Sequence, residues 1–386
     1  MIVELHAIQN LAPSNINRDD LGAPKEAIFG GYRRARVSSQ SWKKAMRDAF
    51  AQQELVPAER RAIRTKQLID EVRNGLSRLG HDESAALGVA EALLQGIAIA
   101  KDPASTDENP KTEYLVFAGR DEIEALIKAA AEYWDQLAAL AGTKGSKKEL
   151  RGRIPEPIKE AASKALTGSQ AADLALFGRM LADLPLRNVE AAVQVAHAIS
   201  THAVEFEQDF YTAVDDLNTR EEPGAGMMGY VGFNSATLYR YANLDTNQLR
   251  RNLPSDDQLV LETIRAFAHA FVTSLPSGKQ NSMATPAPPA LVVAVVRDGA
   301  RWSLVNAFAN PVRVGRDDLV GKSIRELGAQ WRALVKMYGD DDVHATPVLI
   351  DERYSVELGE TFGAPSRGLS GWLDDLSLAL RPDIEG

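Results

Sequence analysis

The sequence predicts an α+β fold whose elements run β-α-β-β-α-β, with long segments inserted between them. Three observations carry this reading. Residues 2–8 (IVELHAI) set Val3, Leu5 and Ala7 on one side of an extended chain, the period of a half-buried strand. Residues 39–50 set Trp42, Ala45, Met46, Ala49 and Phe50 at i, i+3, i+4, i+7 and i+8, one apolar helix face, with Lys43, Lys44 and Arg47 opposite. A second helix over 255–275, with a capping-box pattern at Ser255 and Gln258 and a stop at Pro276, leads to the continuous apolar strand ALVVAVV.

The remaining elements follow in order. The loop NLAPSNINRDDLGAPKEAIFGG is punctuated by Pro13, Gly22, Pro24, Gly30 and Gly31 and is long for a structureless connection, a length usually reserved for function or disorder. Ser38 or Ser39 is the expected N-cap of the helix that follows. From Pro57 to about Ala141 the chain is Ala-rich and helical, broken by KDPASTDENPK at 101–111, with TEYLVFA as a short strand. TKGSKKELRGR at 143–153 is a second basic loop, with Lys144, Lys147, Lys148, Arg151 and Arg153. DLALFGRM at 173–180 reads as a buried strand ending in a glycine turn. Over 189–203 alanines favour helix, but Val189, Val193, Val195 and Ile199 all fall on odd positions, so a strand is expected. The stretch 205–241 reads as a protruding hairpin or lobe, because Pro223, Gly224, Gly226, Gly229 and Gly232 leave little to pack. Asp298-Gly299 is expected to turn the apolar strand into RWSLVNAF as a hairpin. A helix near 322–338, a strand near 346–357 and a helix near 370–381 complete the chain. Strand 2–8, helix 39–50, strands near 173–178 and 189–203, helix 255–275 and the strand from 291 give the ferredoxin-like order shared by RRM domains.

The 386 residues are 45% hydrophobic and 25% charged, ordinary for a folded protein with a sizeable core. No apolar run approaches the roughly 20 residues of a membrane span. The opening MIVELHAIQN lacks the basic-then-apolar order of a secretory signal, so a cytoplasmic protein is expected. Cysteine is absent, which excludes disulfides and thiolate metal sites. The net charge of −9 argues at first against a nucleic-acid partner. The distribution argues otherwise. Between residues 25 and 47 the basic residues Lys25, Arg33, Arg34, Arg36, Lys43, Lys44 and Arg47 meet a single acid, Glu26. An acidic body with one concentrated basic segment suits a localised anion site.

Within that segment, Gly30-Gly31-Tyr32-Arg33-Arg34-Ala35-Arg36-Val37-Ser38-Ser39-Gln40 combines glycines for close backbone approach, arginine forks for phosphates, and hydroxyls and free N–H groups at a helix start. Lys43 and Arg47, one turn apart, can follow one phosphate strand. No Gly-Lys-Ser/Thr follows the glycines, so this is not a Walker loop. A solvated basic helix without a ligand fits the same residues. The histidines show no metal spacing: His197 and His202 are five apart, no HExxH occurs, and core or surface roles are expected. Asp19-Asp20 and Asp215-Asp216 are acidic pairs of a kind common in loops, and no serine sits in a GxSxG context. Neither a metal nor a cofactor is expected. Met180, Met227 and Met228 sit beside glycines, outside periodic apolar runs; they suit either core gaps or wedges that unstack bases. Lys279, on the turn Pro276-Ser277-Gly278-Lys279-Gln280, can donate to another phosphate.

The run from Leu11 to Arg47 resembles the backbone subunits (the CasC family) of type I-E CRISPR Cascade complexes, of the RAMP superfamily. The likeness rests on Asn17-Arg18-Asp19-Asp20, Ala27-Ile28-Phe29-Gly30-Gly31 and Arg33 to Arg47 with Ser38-Ser39-Gln40-Ser41. It continues at Ala175 to Met180, Ala196 to His202, Thr212 to Leu217, Tyr239 to Asn243 and Gly278-Lys279-Gln280, in family order, and is loose over the last hundred residues. The resemblance implies an RRM-like palm, an inserted helical fingers domain and a thumb hairpin: palm 1–56, fingers 57–168, palm 169–204, thumb 205–241, and palm with C-terminal elements 242–386. It implies no catalysis, but a scaffold that stacks further copies of itself along one CRISPR guide RNA beside other Cascade subunits (CasA, CasB, CasD and CasE). Arg18, Lys25, Arg33, Arg34, Arg36, Ser38, Gln40, Lys43, Lys44, Arg47 and Lys279 would line the RNA backbone. Met180 would intercalate at a kink, Phe210, Tyr211, Met227 and Met228 would belong to the thumb, and Lys144, Lys147 and Lys148 would meet the target DNA strand. The competing readings are a metal-independent CRISPR RNA endonuclease of the same superfamily, with a histidine base, and a DNA-binding regulator with a recognition helix at 39–50.

Overall fold

β1 (Ile2–Ser14) forms the centre of an antiparallel sheet, flanked by strand Leu291–Arg297 on one edge and strand Met227–Asp245 on the other. A computed structural model describes residues 1–143, 146–166, 170–213, 227–254, 256–313, 315 and 318–384 of the chain. From edge to edge the sheet runs Val343–Ala345, Leu291–Arg297, β1, Met227–Asp245, Ala198–Ser200, β3 (Tyr32–Val37) and β2 (Glu26–Phe29). Val348–Ile350 also pairs with Leu291–Arg297, and Val193–Val195 with Met227–Asp245.

The chain folds as two compact units. One comprises residues 1–55, 193–246 and 261–386 and holds the sheet; the other comprises 56–192 and 247–260. The second unit is mainly helical, with helices Leu68–Arg78, Glu83–Gly96, Arg120–Glu132 and Glu156–Ala165 enclosing a core of Leu68, Val72, Leu76, Val89, Leu93, Leu126 and Ile158. Among the described residues no helix is long and apolar enough to cross a membrane.

β1 differs from the half-buried strand its alternation suggests. Residues 2–9 are buried on both faces, because helices cover both sides of the sheet. Ile8, Tyr239, Tyr241, Val293 and Val295 pack with Leu304, Phe308, Ile324 and Trp331 from the 3-10 helix Leu304–Phe308 and helix Leu319–Tyr338. On Met227–Asp245, Arg240 is turned the other way. Its guanidinium lies 3.7 Å from the ring centre of Trp42 on helix α1 (Ser39–Gln52) and 4.5 Å from that of Phe271 on helix Asp257–Thr273, and donates to Gln9 Oε1 at 2.7 Å. A cation between two aromatic faces is held without a carboxylate.

Four further expectations are corrected. The run 173–180 is a helix, Ala172–Phe177, ended by Gly178 at φ +74°; a short apolar run has no period to separate strand from helix, and alanine and leucine favour the latter. Residues 189–203 form two three-residue strands, Val193–Val195 and Ala198–Ser200, parted at Ala196-His197. RWSLVNAF does not make a hairpin strand: it ends in the 3-10 helix Leu304–Phe308, whose first N–H donates to the Tyr239 hydroxyl at 2.9 Å. The expected strand at 346–357 shrinks to Val348–Ile350, followed by the short helices Glu352–Tyr354 and Ser355–Leu358.

The covered layer of the sheet holds a titratable pair whose effects oppose one another. His6 is fully buried, its Nδ1 2.9 Å from the Tyr239 hydroxyl, and burial, aided by the charge of Arg297, pushes its imidazole down to about 3. Burial pushes the Glu4 carboxyl up to about 7, although Tyr241 and the Trp302 amide donate to it. The folded His6 refuses a proton that the unfolded chain takes up below its ordinary 6.5, so its contribution to stability falls as pH drops from 6.5 toward 3. Glu4 binds its proton earlier in the folded state, so its contribution rises as pH drops from about 7 to 4.5. A His6→Phe variant is therefore expected to gain on the parent by up to about 1.4 kcal/mol for each pH unit below 6.5. Urea midpoints at pH 7, 6, 5 and 4 check this; a constant difference between the two proteins contradicts it.

Candidate nucleic-acid interface

Residues 15–17, just past β1, are the hub on which the basic segment is assembled. The Lys25 N–H donates to Asn17 O at 2.9 Å, and the Arg36 N–H donates to Lys25 O at 2.9 Å. The Ser38 N–H donates to Asn17 Oδ1 at 2.8 Å, which fixes the start of α1. Asn15 Nδ2 donates to Gly22 O at 2.9 Å and to Gly232 O at 2.8 Å, closing the 15–25 loop onto the long strand. On another side, a Cβ on Gly278 would lie 2.5 Å from Ile16 O, so only glycine lets the Lys279 turn approach the hub so closely. Lys279 itself sits in the left-handed region at φ +52°. One short segment thus gathers Lys25, Arg36 with Ser38, and Lys279 from three places in the chain.

The β2–β3 hairpin is fastened from behind. Gly30 turns at φ +61°, and a Cβ there would lie 1.7 Å from Ala309 O. The guanidinium of Arg34 is fully buried and donates to the carbonyls of Ser200 and Thr201 at 3.0 Å and of Phe308 at 2.6 Å. Arg34 is therefore removed from the candidate RNA ligands: its donors face the protein's own backbone. Arg33 is exposed and paired with Glu26 at 2.8 Å. Arg36 donates from Nε to Glu26 O at 3.2 Å and lies 3.1 Å from His197 Nδ1.

Helix α1 buries Trp42, Ala45, Met46, Ala49 and Phe50, the five positions its spacing predicts. Ser38, not Ser39, is the cap: its hydroxyl accepts the Ser41 N–H at 3.3 Å. Gln40 is exposed at the first turn, and Lys43 and Arg47 are half-buried on the polar face. Burial lowers the Lys43 ammonium from its ordinary value. Lys44 is exposed and bound to Asp48 one turn on, Nζ to Oδ1 2.6 Å. Arg18 is exposed in the 15–25 loop, where its backbone bridges to Pro24.

The other expected residues lie apart from the hub. Met180 is 82% exposed, on a loop whose ends are joined by reciprocal 2.9 Å hydrogen bonds between the backbones of Arg179 and Val189. The Arg179 guanidinium is buried against Glu122 at 2.6 Å and the carbonyls of Phe117 and Leu166. Met180→Ala is expected to leave the melting temperature within about 1 °C of the parent, since substitutions at exposed positions lie within roughly 0.5 kcal/mol; a larger drop would show that the side chain is part of the core. Phe210 and Tyr211 are exposed on strand Glu207–Ala213, which pairs with residues 227–233 as a two-stranded arm; the rings of Phe210 and Tyr230 meet at a tilt with centres 5.2 Å apart, and Tyr211 covers Gly229. Met227 and Met228 begin the partner strand, but their side chains lie outside the described residues, as does Lys144. The basic stretch expected as a loop is in part a helix, Lys147–Arg153, capped by Ser146 and Glu149; Lys147 pairs with Glu113 and Lys148 is exposed.

Sequence reasoning passed over two members of the hub. Asn17 stands in the motif Asn17-Arg18-Asp19-Asp20, where its side-chain oxygen accepts the Ser38 N–H and orders the start of α1. His197 is exposed beside Arg36, at a break between strands that the odd-position pattern of 189–203 does not reveal. Among the described residues no group of three or more histidine and acidic side chains could hold a metal ion.

No curated protein matches this chain. The family model described as CT1975-like protein matches residues 3–365. A chain of the solved "CRISPR RNA-guided surveillance complex, pre-nicking" is similar at 33% identity with a TM-score of 0.85, over 98% of this chain and 100% of its own length. A chain of a second solved "CRISPR RNA-guided surveillance complex" is similar at 29% identity with a TM-score of 0.75, again over 98% of this chain and 100% of its own. Matched by its model over nearly the full length, the chain belongs to the CT1975-like protein family, the Cascade backbone-type subunits that its motifs resemble.

Proposed function

We propose that this chain is a non-catalytic backbone subunit of a CRISPR surveillance complex, which binds the guide RNA by its sugar-phosphate chain. The observation that carries the reading is the hub at 15–17: the stretches carrying Lys25, Arg36 and Lys279 meet there at the start of α1, in a chain whose net charge is −9. Guide sequences vary, so a scaffold has to hold phosphates and riboses and leave base edges free to pair with target DNA. A cluster of lysine and arginine donors aimed at phosphates meets that requirement, because contacts to phosphate oxygens carry no sequence information. The full-length likeness to chains of RNA-guided surveillance complexes supports the same reading.

In this account the sheet, with α1 and helix Asp257–Thr273, is an RRM-like palm of ferredoxin-like order. The helical unit supplies the fingers, and the arm around Phe210 and Tyr211 is the thumb. Met180 is the wedge that kinks the guide at regular intervals, Lys147 and Lys148 face the target strand, and successive copies line one guide beside the other Cascade subunits. The subunit holds RNA and does not cut it.

Fluorescence anisotropy with two unrelated single-stranded RNAs of equal length, over a range of salt, tests this. Equal affinities are expected, with log K falling by about 0.7 per phosphate contact for each unit of log salt, and intact RNA is expected after incubation with and without Mg²⁺. A strong preference for one sequence, a flat salt response or site-specific cleavage would each overturn the reading.

A further inference from the structure

His197 is an exposed imidazole at the break between strands Val193–Val195 and Ala198–Ser200, with its Nδ1 3.1 Å from Arg36 Nη1. A guanidinium has donors only, so His197 Nδ1 accepts, and the neutral ring carries its proton on Nε2. The charges acting on the ring come from Arg36 on β3 and from Lys25 in the loop before β2; together with partial burial, the larger cause, they hold it below the ordinary 6.5. The neighbouring acid, Glu26, directs its carboxylate to Arg33 at 2.8 Å and offers Arg36 only its backbone carbonyl. This is a cluster of two cations and a third group that would become one if an anion sat among them.

We propose that His197 is a phosphate ligand that takes up a proton from solvent when a phosphodiester binds between Lys25 and Arg36, so that RNA binding strengthens as pH falls. The inference rests on the guide-binding reading above and adds a residue and a pH dependence to it. A phosphodiester carries one negative charge at any pH above about 2. Seated on Lys25 and Arg36, it offsets both repulsions on the ring, draws Arg36 away from Nδ1, and accepts from the imidazolium as a third charge-assisted donor. By linkage, a ligand that favours the protonated ring is itself bound more tightly where protons are available. The affinity should change about tenfold for each pH unit by which the bound ring's midpoint exceeds the free one.

The test is binding of a short uridine homopolymer to the full chain at pH 8.0, 7.0, 6.0 and 5.5 and constant salt, for the parent and for His197→Gln, which keeps a neutral amide in place of the ring. The parent is expected to bind about tenfold more tightly at pH 5.5 than at pH 8.0. His197→Gln is expected to bind with nearly the same affinity at pH 5.5 as at pH 8.0. An NMR titration of the His197 ring is expected to move to higher pH when RNA is present. Failure of the parent to bind RNA at any pH would overturn the guide-binding reading and this inference with it. Binding with equal pH dependence in both proteins, or a ring midpoint that RNA leaves unmoved, would overturn the proton uptake alone.

Discussion

An Arg179→Ala variant is expected to lose about 3–5 kcal/mol of stability, the range seen when one partner of a buried ion pair is removed. The side chains of Arg179 and Glu122 are 1% and 3% exposed and meet at 2.6 Å. The same guanidinium donates to Phe117 O at 3.2 Å, Leu166 O at 3.0 Å and Arg187 O at 3.2 Å. Truncation leaves the buried carboxylate without its cation and takes a donor from the buried carbonyls of Phe117 and Leu166, and losses of this kind away from water are costly. Glu122 keeps the Gly119 N–H as a donor at 2.9 Å, but loses the guanidinium that balances its charge. The double variant Arg179→Met with Glu122→Gln is expected to recover much of the loss, since it removes both charges. Urea denaturation measures both; a loss below about 1 kcal/mol in the single variant contradicts the account. The consequence reaches function in the proposed scheme, because Arg179 anchors the loop that carries Met180.

The second large effect concerns RNA. Lys25→Glu combined with Lys279→Glu reverses two charges at the 15–17 hub. Affinity for single-stranded RNA is expected to fall about a hundredfold or more at near-physiological salt. The slope of log K against log salt is expected to shrink by about 1.4, the share of two phosphate contacts. Neither change should unfold the protein. Both side chains are partly exposed, and the left-handed backbone at position 279 strains glutamate no more than lysine. An unaltered slope would remove these lysines from the binding surface.

How much of this was legible in the sequence depends on where each residue's partners lie. Helix α1 could be read outright, because its period and its cap are local. Arg34 could not. Tyr32, Arg33, Arg34 and Arg36 look alike as basic or amphipathic positions of a strand, and the acceptors that bury Arg34 stand 166 to 275 residues further along the chain. The 3-10 helix Leu304–Phe308 was hidden for a related reason: the Tyr239 hydroxyl and the Arg34 guanidinium bind its ends, and neither is a neighbour in sequence. The stretch 205–241 reads in sequence as one protruding hairpin or lobe, whereas the single strand Met227–Asp245 serves both the arm and the main sheet. Histidine spacing tests for metals and says nothing of phosphates, so the place of His197 beside Arg36 is visible only in the fold.

The most direct test of the central claim, that a cationic surface holds ribose-phosphate chains regardless of base identity, is co-expression with a CRISPR array. The protein is expected to purify with RNA of discrete length, in high-mass assemblies that hold several copies along one strand, whichever spacer the array carries. Recovery of the protein free of RNA, or with RNA for one spacer sequence only, would contradict it.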